Sequence, residues 1–359
     1  IEPHGSFADQ VLQHVPKSRT NSVVILDPAS PKPVGLNPLS LKDKNKAVEN
    51  CIDIFIGLWD DAFLDRSQYI CRNYLRALVE VVADPTLLHL YRMLGSFQYA
   101  SQILSKANSA VCRLFFEEFV AKSPRDRTEA TAAPFNKLDK FFSNEYSRAV
   151  FGHPKPLDIG ALMNSGHIVI VRMSKGELGS DMTSFLSSVL FHMISAATFE
   201  RQALPAGRRI HTSIYSDEHH NVNRGHVTET LLAEGRKYNV HLIMADQSCG
   251  QIPEAARRTI LGNVGALLVS RVSSEDAQAL HHELGIGNPA TLQTLQMGQW
   301  YVKRVQSGNV MQARLTKTDG HLVPDGTEQS SYEVRKQALR RFGMLRQQIL
   351  DRVDRILTA

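Results

Sequence analysis

Two short apolar segments of this chain each end in polar residues, and a helical segment lies between them. The first segment ends in Asp217 and Glu218, the second ends in Gln247, and the helical segment ends in Arg236 and Lys237. This order predicts parallel strands joined by a right-handed helical crossover. The residues that follow such strands share one edge of the sheet, where loops and helix N-termini converge and ligands bind. The pattern therefore constrains the chain to an α/β fold with its chemistry at one sheet edge.

The remaining sequence divides into stretches of different periodicity. Residues 1–41 carry short β-branched runs, near residues 1–5, 22–28 and 34–39, bounded by Gly, Pro and Asn, which predict strands joined by turns. Residues 42–150 show apolar spacings of three and four, which predict an all-helical block with a polar gap at 123–133. Strand and helix patterns alternate again from 151 to 318. The predicted strands there lie at 168–172, up to 216, at 240–245 and at 266–271. The helical block is therefore expected to interrupt one mostly parallel sheet.

Residues 319–359 predict a linker followed by a basic amphipathic helix. From 331 to 359 there are seven basic and three acidic residues, a net charge of +4, and the apolar residues recur at spacings of three and four. Two interpretations stay open, a helix docked on the body or on a neighbouring subunit and a helix that contacts DNA. Docking is favoured, because charge alone is a weak signal for nucleic acid.

The residues at the predicted sheet edge fit the chemistry of nucleotide hydrolysis. Asp217 offers an anionic oxygen that holds Mg²⁺ through water, and Glu218 can polarise the attacking water as a general base. Gln247 can donate to a phosphate and accept from water at once, as a γ-phosphate sensor requires. Arg236 suits an arginine finger, with Lys237 beside it as a further nucleotide-binding residue. Each residue alone has an ordinary structural explanation, but together they predict the hydrolytic half of a RecA-like ATPase.

The phosphate-binding loop of such an ATPase (the Walker A loop) has no counterpart in these 359 residues, because no G-x-x-x-x-G-K-[ST] segment occurs. The chain opens at Ile1, in a segment that resembles a strand, and we expect the missing loop to lie upstream of it. The loop's lysine and backbone amides are the main phosphate ligands in this class. The 359 residues alone are therefore expected to bind nucleotide weakly and to be inactive.

Composition and motifs disfavour several other classes. No apolar run reaches eighteen residues, so no membrane span is predicted, and no leader opens the sequence. The four cysteines lack C-x-x-C spacing, which predicts free thiols in a reducing compartment. No G-x-S-x-G or H-E-x-x-H segment supports acyl transfer or a zinc hydrolase, so His219 and His220 are interpreted as loop residues near the nucleotide. The net charge of +5 permits a polyanionic partner without requiring one.

Further motifs occur in a fixed order along the chain. They are Glu2-Pro-His-Gly5, Gly35-Leu-Asn-Pro-Leu39, Gly166 to Gly176 with Gly179, Asp217-Glu218, Leu232 to Tyr238, Gln247, Ile260-Leu-Gly-Asn263, Arg271 and Asp276-Ala277. In this order they resemble the conjugative coupling proteins of type IV secretion, the TraD, TraG and VirD4 type, within the HerA/FtsK class of DNA-pumping ATPases. The resemblance covers Ile1 to about Val305, and its most specific part is the spacing from 234–237 to Gln247.

The resemblance implies an ATP- and Mg²⁺-dependent homo-hexamer that moves single- or double-stranded DNA through its channel, with Arg236 completing the site of a neighbouring subunit. It also implies contact with a relaxase or relaxosome and with secretion components. The expected location is cytoplasmic, with the full-length protein anchored in the bacterial inner membrane by helices upstream of this sequence. Two departures from the family pattern are Glu2, where Asp is usual, and a polar strand before Asp217.

Three alternatives stay open at this point. One is a HerA-type translocase that serves chromosome processing or phage defence, which upstream membrane helices would disfavour. Another is a RecA-like scaffold that binds DNA or relaxosome proteins without hydrolysis. The last is a metal-dependent hydrolase, for which the only signal is the His219-His220 pair beside two acids.

Overall fold

Helices account for most of the chain in the computed structural model, which describes residues 1, 5–59, 63–221, 227–306, 309–317 and 327–358. The helices are α1 (Ser6–Gln13), α2 (Lys44–Trp59), α3 (Asp65–Val81), α4 (Leu87–Gly95), α5 (Phe97–Leu104), α6 (Ala110–Ala121), α7 (Pro124–Phe142), α8 (Glu145–Gly152), α9 (Ile159–Asn164), α10 (Lys175–Leu178), α11 (Ser180–Glu200), α12 (Val227–Glu234), α13 (Glu254–Asn263), α14 (Ser274–Leu284), α15 (Ala290–Gln293), α16 (Glu328–Arg341) and α17 (Arg346–Thr358). The strands are β1 (Val23–Leu26), β2 (Ile168–Val171), β3 (Thr212–Ser216), β4 (Val240–Met244), β5 (Ala266–Val269), β6 (Gln299–Gln306) and β7 (Asn309–Lys317).

Two pairs of parallel strands form the framework of the α/β part. β1 pairs with β2, and their last residues, Leu26 and Val171, lie opposite each other. β3 pairs with β4, and their last residues, Ser216 and Met244, are also opposite. The two strands of each pair therefore end at the same position, so the residues that follow them are neighbours in space.

The side chains of β1 alternate between two layers of the core, as the two-residue period of a strand requires. Val24 and Leu26 lie in the large core that contains the helices between β1 and β2. Val23 and Ile25 lie in a second core with residues of α1 and α16. All four side chains are buried. Helices thus cover both faces of this strand, which is the arrangement that buried parallel strands adopt.

The described residues between β1 and β2 contain helices α2–α9 and no strand, as the fold prediction expected. The predicted polar gap at 123–133 is wrong, because these residues begin α7. Ser123 caps this helix by accepting a hydrogen bond from the Asp126 N–H at 3.2 Å, and Pro124 occupies the first helical position. The polar residues of this turn face solvent, whereas Ala130 and Thr131 are buried. The gap is therefore the exposed side of a helix.

Only one of the three strands predicted in the first 41 residues is present among the described residues. β1 confirms the strand expected at 22–28. Residues 34–39 instead form a single bridge between Gly35 and Pro156, followed by the 3-10 turn Pro38–Ser40. Residues 2–4 of the motif Glu2-Pro-His-Gly5 lie outside the described residues.

The strand predicted at 266–271 belongs to a separate antiparallel sheet and not, as expected, to the mostly parallel one. β5 pairs antiparallel with β6, with Leu268 opposite Val302, and β6 pairs antiparallel with β7. This sheet packs with α14 around its own small core. The β6–β7 hairpin was not predicted, because Lys303 and Arg304 interrupt the apolar pattern of β6.

The basic C-terminal segment forms two helices where one was predicted. The chain leaves the helical path after α16, and the backbone N–H groups of Met344 and Arg346 donate to the carbonyls of Pro33 and Pro31. Gly343 permits this approach, since a Cβ there would lie 2.6 Å from the Lys32 carbonyl oxygen. The break thus lets α16 pack on the β1–β2 layer and α17 on the helical block.

Four of the six arginines in these two helices contact the body of the protein. Arg335 pairs with Asp9, Arg341 donates to the Asn21 carbonyl, and Arg346 donates to carbonyls of the loop after β1. Arg352 donates to the Gly152 carbonyl at 2.7 Å. Among the two interpretations of this segment, the structure therefore favours docking on the body.

One segment of the described residues, Ser180–Ala203, is long and apolar enough to cross a membrane, and 72% of its most apolar stretch is buried inside the protein. The central helix of a protein core can be equally long and apolar, and α11 is such a helix, because it lies in the large core. All four cysteines are free, as predicted, and three of them (Cys51, Cys71 and Cys112) are buried.

Candidate active site

The carboxyl ends of β1–β4 meet at one edge of the molecule. The polar residues that follow these strands are Asp27, Arg172, Asp217, Glu218, Asp246 and Gln247. Arg172 joins the ends of β1 and β2, with its Nη1 atom 3.3 Å from Asp27 Oδ2. Lys175, the first residue of α10, lies with its Nζ 3.9 Å from Glu218 Oε2 and so links the two strand pairs. The sequence predicted a shared polar edge only for the residues that follow β3 and β4, and the structure places the residues that follow β1 and β2 at the same edge.

Glu218 is the most constrained residue at this edge. Its Oε1 accepts a hydrogen bond from Gln247 Nε2 at 2.8 Å, and its Oε2 accepts one from Asn221 Nδ2 at 3.2 Å. The residue is 9% exposed and its backbone has a φ of 45°, in the left-handed region that residues with a Cβ rarely adopt. Such strain costs about 1–3 kcal/mol and is concentrated at functional sites. The fold thus holds this carboxylate in one position against a local backbone preference.

Asp217 lies directly beside Glu218 at the end of β3. Its Oδ1 accepts a hydrogen bond from the Glu218 N–H at 3.1 Å, and its own N–H donates to the Ile1 carbonyl at 3.0 Å. The side chain is half-buried. The carboxylate of Glu218 follows directly in the chain, so two acidic side chains lie at this end of β3.

His219 is fully buried behind the acidic pair. Its Nδ1 is 3.0 Å from Ser216 Oγ, and its Nε2 is 2.9 Å from Thr228 Oγ1 on α12. Burial, with a smaller effect from the charge of His220, lowers the pKa of His219 to about 4. The ring is therefore neutral at pH 7 and ties the end of β3 to the start of α12. No group of three metal-ligating side chains occurs among the described residues.

His220 joins the loops that follow β3 and β4. Its backbone N–H donates to Asp246 Oδ1 at 2.8 Å, and its ring Nδ1 lies 3.0 Å from the same oxygen. Burial raises the pKa of Asp246, and the hydrogen bonds from His220 oppose that effect. This pair keeps Glu218 and Gln247, which belong to the same two loops, within hydrogen-bonding distance.

Arg236 and Lys237 lie at the other edge of the sheet. They belong to the 3-10 turn Gly235–Tyr238, which follows α12 and precedes β4, and both side chains are exposed. β4 has five residues, so its length separates this turn from Gln247 by about 16 Å. The structure therefore brings Asp217, Glu218 and Gln247 together and places Arg236 and Lys237 away from them.

Two arginines hold the backbone of this turn. Arg209 Nη1 donates to the Lys237 carbonyl at 2.7 Å, and Arg201 Nη1 donates to the Tyr238 carbonyl at 3.1 Å. Arg201 is 1% exposed and also donates to Thr212 Oγ1 at 2.9 Å. The turn that carries Arg236 is thereby fixed to the amino end of β3.

Several residues of the edge were not assigned a role from the sequence. Asn221 and Lys175 contact Glu218, and Arg172 pairs with both Asp27 and Glu177. The sequence does carry a signal for Arg172 and Lys175, because they follow the apolar strand 168–171 as Asp217 follows β3. Nothing local identifies Asn221, whose role depends on the turn that Glu218 makes.

No protein-family model and no curated protein sequence matches the chain. Among solved structures, the bacterial conjugative coupling protein TrwBdeltaN70 in an unbound monoclinic form has a TM-score of 0.64 at 12% identity, over 89% of this chain and 76% of that chain. The plasmid coupling protein TrwB in complex with ADP and Mg²⁺ has a TM-score of 0.62 at 13% identity, over 92% and 80%. The chain shares the fold of these coupling proteins. VirB4 of Thermoanaerobacter pseudethanolicus is also similar, with a TM-score of 0.51 at 13% identity, over 87% and 86%.

The match to TrwB covers 92% of this chain. The helices α2–α9 make up a much larger share of the chain than the part left unmatched, so the match includes the helical block as well as the strands. The predicted fold class, a RecA-like α/β core interrupted by an all-helical insertion, is thereby confirmed. The resemblance to coupling proteins inferred from the motifs is confirmed at the level of the fold.

Proposed function

We propose that this chain is part of a motor ATPase that couples ATP hydrolysis to DNA transfer, as a coupling protein of conjugation or type IV secretion. The observation that carries the proposal is the hydrogen bond from Gln247 to the buried carboxylate of Glu218, at the strand edge where this fold binds ligands. The shared fold supports it, because TrwB has been solved with ADP and Mg²⁺ and with a non-hydrolysable ATP analogue.

Glu218 is proposed as the general base that orients and polarises the attacking water. A base needs a fixed carboxylate within hydrogen-bonding distance of its water, and the contacts with Gln247, Asn221 and Lys175 supply that fixation. Gln247 is proposed as the sensor of the γ-phosphate. Its amide now donates to Glu218, so an approaching phosphate oxygen would compete for that donor and release the carboxylate toward water.

Asp217 is proposed to hold Mg²⁺ through water, beside Glu218. Its carboxylate is kept in place by the Glu218 N–H, and its half-buried position leaves it open to solvent. When bound, Mg²⁺ would neutralise charge on the phosphates of the nucleotide. The chain's own contribution is to hold the carboxylate oxygens of Asp217 and Glu218 at this edge.

Arg236 and Lys237 are proposed to act on a neighbouring copy of the chain. The length of β4 keeps them away from Glu218 of the same subunit, whereas their exposure makes them available at a subunit interface. An arginine finger supplied in trans stabilises transition-state charge and contributes about 10³–10⁵ in rate. An arginine supplied in trans needs a second copy of the chain, and a homo-hexamer around DNA is the assembly that we propose.

The test is DNA-stimulated ATP hydrolysis by the protein expressed from its complete reading frame. Glu218→Gln should lower turnover by about 10²–10⁴-fold, the usual contribution of a general base, while nucleotide binding stays unchanged. Glu117→Gln, an exposed residue of α6, is the matched control and should leave turnover at the wild-type level.

Two results would contradict the motor proposal. The first is hydrolysis that Glu218→Gln leaves intact, since the base would then be elsewhere. The second is a complete frame that binds DNA or relaxosome proteins but turns over no ATP. That outcome would favour the alternative of a RecA-like scaffold that does not hydrolyse nucleotide.

A further inference from the structure

Basic side chains gather at the edge of the molecule where the parallel strands begin, opposite the edge that carries Glu218. They come from three segments that are remote in sequence. These segments are the 3-10 turn before β1, the 3-10 turn before β3 with the residue that follows it, and the last turn of α16. Their basic residues, all exposed or half-buried, form what we call the basic edge patch: Lys17, Arg19, Arg208, Arg209, Arg340 and Arg341.

Contacts among the three segments join these residues into one surface. Arg19 donates to the carbonyl of Gly166, just before β2. Arg341 donates to the carbonyl of Asn21, just before β1. A Cβ on Gly166 would lie 4.0 Å from Cγ2 of Ile210, so the residues before β2 are in contact with those before β3. The docking of α16 on the body therefore adds its last two arginines to an edge that is already basic.

No carboxylate neutralises the patch within the part of the chain that the structure describes. Arg19, Arg209 and Arg341 donate to backbone carbonyls, which leave the charge of the guanidinium group in place. None of the six residues belongs to an ion pair of the described residues. Elsewhere, basic side chains do pair with carboxylates, as in Arg72–Glu49, Lys303–Glu283 and Arg335–Asp9. The six charges of the patch are therefore uncompensated.

The patch holds most of the net charge of the chain. Two acids, Glu200 at the end of α11 and Asp158, lie near this edge, on either side of Gly160. When both are counted with the six basic residues the net charge is +4, against +5 for the whole chain. Burial, together with the charges of Arg341 and Arg19, lowers the pKa of His167, which shows that the positive field extends to the start of β2.

We propose that the basic edge patch binds the phosphate backbone of DNA. Like charges held together without counter-charges repel one another, and a polyanion relieves this repulsion while it releases its own condensed counterions. Six phosphate charges occupy only about 10 Å of duplex axis, so a few base pairs neutralise the patch. Five of the six residues are arginines, whose planar donors suit phosphate oxygens. The proposal rests on the proposed function only in choosing DNA among polyanions.

An anionic membrane is a less suitable partner for this surface. Binding within a membrane interface requires exposed apolar side chains beside the basic ones. Residues 17–22 and 206–209 contain no large apolar side chain. DNA on the patch also leaves the edge with Glu218 open to nucleotide, because the length of the strands separates the two edges.

The experiment is fluorescence anisotropy of a labelled 20-base-pair DNA duplex, titrated with the purified chain at several salt concentrations in the absence of nucleotide. Binding that depends on phosphate contacts alone is expected to have a Kd of about 10⁻⁴–10⁻⁶ M at physiological salt. Log Kd should rise linearly with the logarithm of the salt concentration, with a slope of about 5 if all six residues contact phosphates.

Two triple variants locate the DNA. Lys17→Gln/Arg208→Gln/Arg340→Gln removes the three patch residues whose side chains make no hydrogen bond to the described residues, so the fold should be kept. It should weaken binding about tenfold or more at 0.1 M salt and lower the slope by about 2.7. The control, Lys46→Gln/Lys106→Gln/Arg125→Gln, removes three exposed charges of the helical block. Because its net charge is the same, it shows what net charge alone contributes, and it should change neither quantity appreciably.

The proposal is overturned if the wild-type chain does not bind the duplex at 50 mM salt and 100 μM protein. It is also overturned if both triple variants weaken binding equally, because net charge rather than the patch then attracts DNA. Vesicles of 30% phosphatidylserine in phosphatidylcholine test the other partner. If the patch variant loses vesicle binding but keeps DNA binding, the surface serves a membrane and the proposal is wrong.

The result is separable from the test of the motor. A patch variant that binds DNA normally, beside a Glu218→Gln variant that has lost turnover, would retain the motor and remove the patch. DNA binding that depends on the patch, in a protein that hydrolyses no ATP, would retain the patch and remove the motor.

Discussion

At the scale of single residues, the candidate site depends on backbone and side-chain states that oppose local preference. Glu218 takes up a left-handed backbone, and the neutral ring of His219 is enclosed behind it. The sequence identified Glu218 as a candidate catalytic residue because it follows a predicted strand. It could not reveal the left-handed backbone of Glu218, nor the contact with Asn221, which depends on the turn that this backbone makes.

The buried histidines predict how stability depends on pH. His219 and His89 have pKa values lowered by burial from 6.5 to about 4. The unfolded chain therefore binds protons on these rings first as the pH falls, which favours unfolding. We expect their contribution to be fully present above pH 6.5 and lost between pH 6.5 and 4, with a slope of up to about 1.4 kcal/mol per pH unit for each ring. Urea unfolding at a series of pH values measures it.

His219→Asn isolates one of these rings. The variant should be less stable at pH 7 because the bonds to Ser216 and Thr228 are lost, and its stability should fall less steeply between pH 6.5 and 4. His282→Asn, at an exposed position of α14, is the control and should follow the wild-type profile. Parallel profiles for wild type and His219→Asn would show that His219 is not kept neutral by burial.

At the scale of elements, helices α8 and α17 approach each other closely at Gly152. A Cβ on Gly152 would lie 2.1 Å from Val353 Cγ2, and Val353 is fully buried. Gly152→Ala should therefore overpack this contact and destabilise the protein by about 1–3 kcal/mol. Thermal and urea unfolding measure the change.

A second substitution separates overpacking from a general loss of helix geometry. Gly152→Ala with Val353→Ala removes the clashing methyl, so the double variant should be more stable than the sum of the two single effects predicts. Gly262→Ala on α13 is the control, because a Cβ there meets nothing within 4 Å. It should leave stability unchanged or raise it by up to about 1 kcal/mol. Additive effects in the double variant would contradict the proposed contact.

The elements themselves were only partly predictable. The apolar runs of β1–β4 are short, β-branched and bounded by turn residues, and these strands were located to within two residues at most ends. α7 was missed because the exposed side of its first turns is polar, and the β6–β7 hairpin was missed because charged residues interrupt its alternation. The division of the C-terminal segment into α16 and α17 depends on contacts with Pro31 and Pro33, which lie far away in sequence.

At the scale of the whole molecule, Arg236 and Glu218 lie at opposite edges of one subunit, so the arginine finger that we propose has to come from a second copy. This predicts complementation between two inactive variants in the full-length protein. Arg236→Ala and Glu218→Gln should each abolish most ATP hydrolysis, whereas an equimolar mixture assembled together should recover part of it. Recovery is expected because some interfaces then join an intact Glu218 to an intact Arg236. Steady-state ATPase assays of the mixture measure it.

The double variant Glu218→Gln/Arg236→Ala provides the control for subunit exchange. Mixed with Glu218→Gln subunits it should restore nothing, because every Glu218 in that ring is absent. If the mixture of single variants also stays inactive although the subunits exchange, Arg236 does not act in trans. The roles of Arg236 and Lys237 then need another explanation.

The fold class and the position of the helical block could be predicted because a strand–helix–strand order and a long helical interruption are visible in the pattern. The spatial relation between Arg236 and Glu218 could not, because it depends on strand length and direction together.

The two C-terminal helices have a mechanical consequence. α16 lies on the β1–β2 layer and α17 is wedged against α8 of the helical block, while the short segment between them is bound to Pro31 and Pro33. The two helices thus connect the β1–β2 layer to the helical block. A rotation of the block relative to that layer would have to break the packing of α17 against Gly152, so we expect the layer and the block to move together.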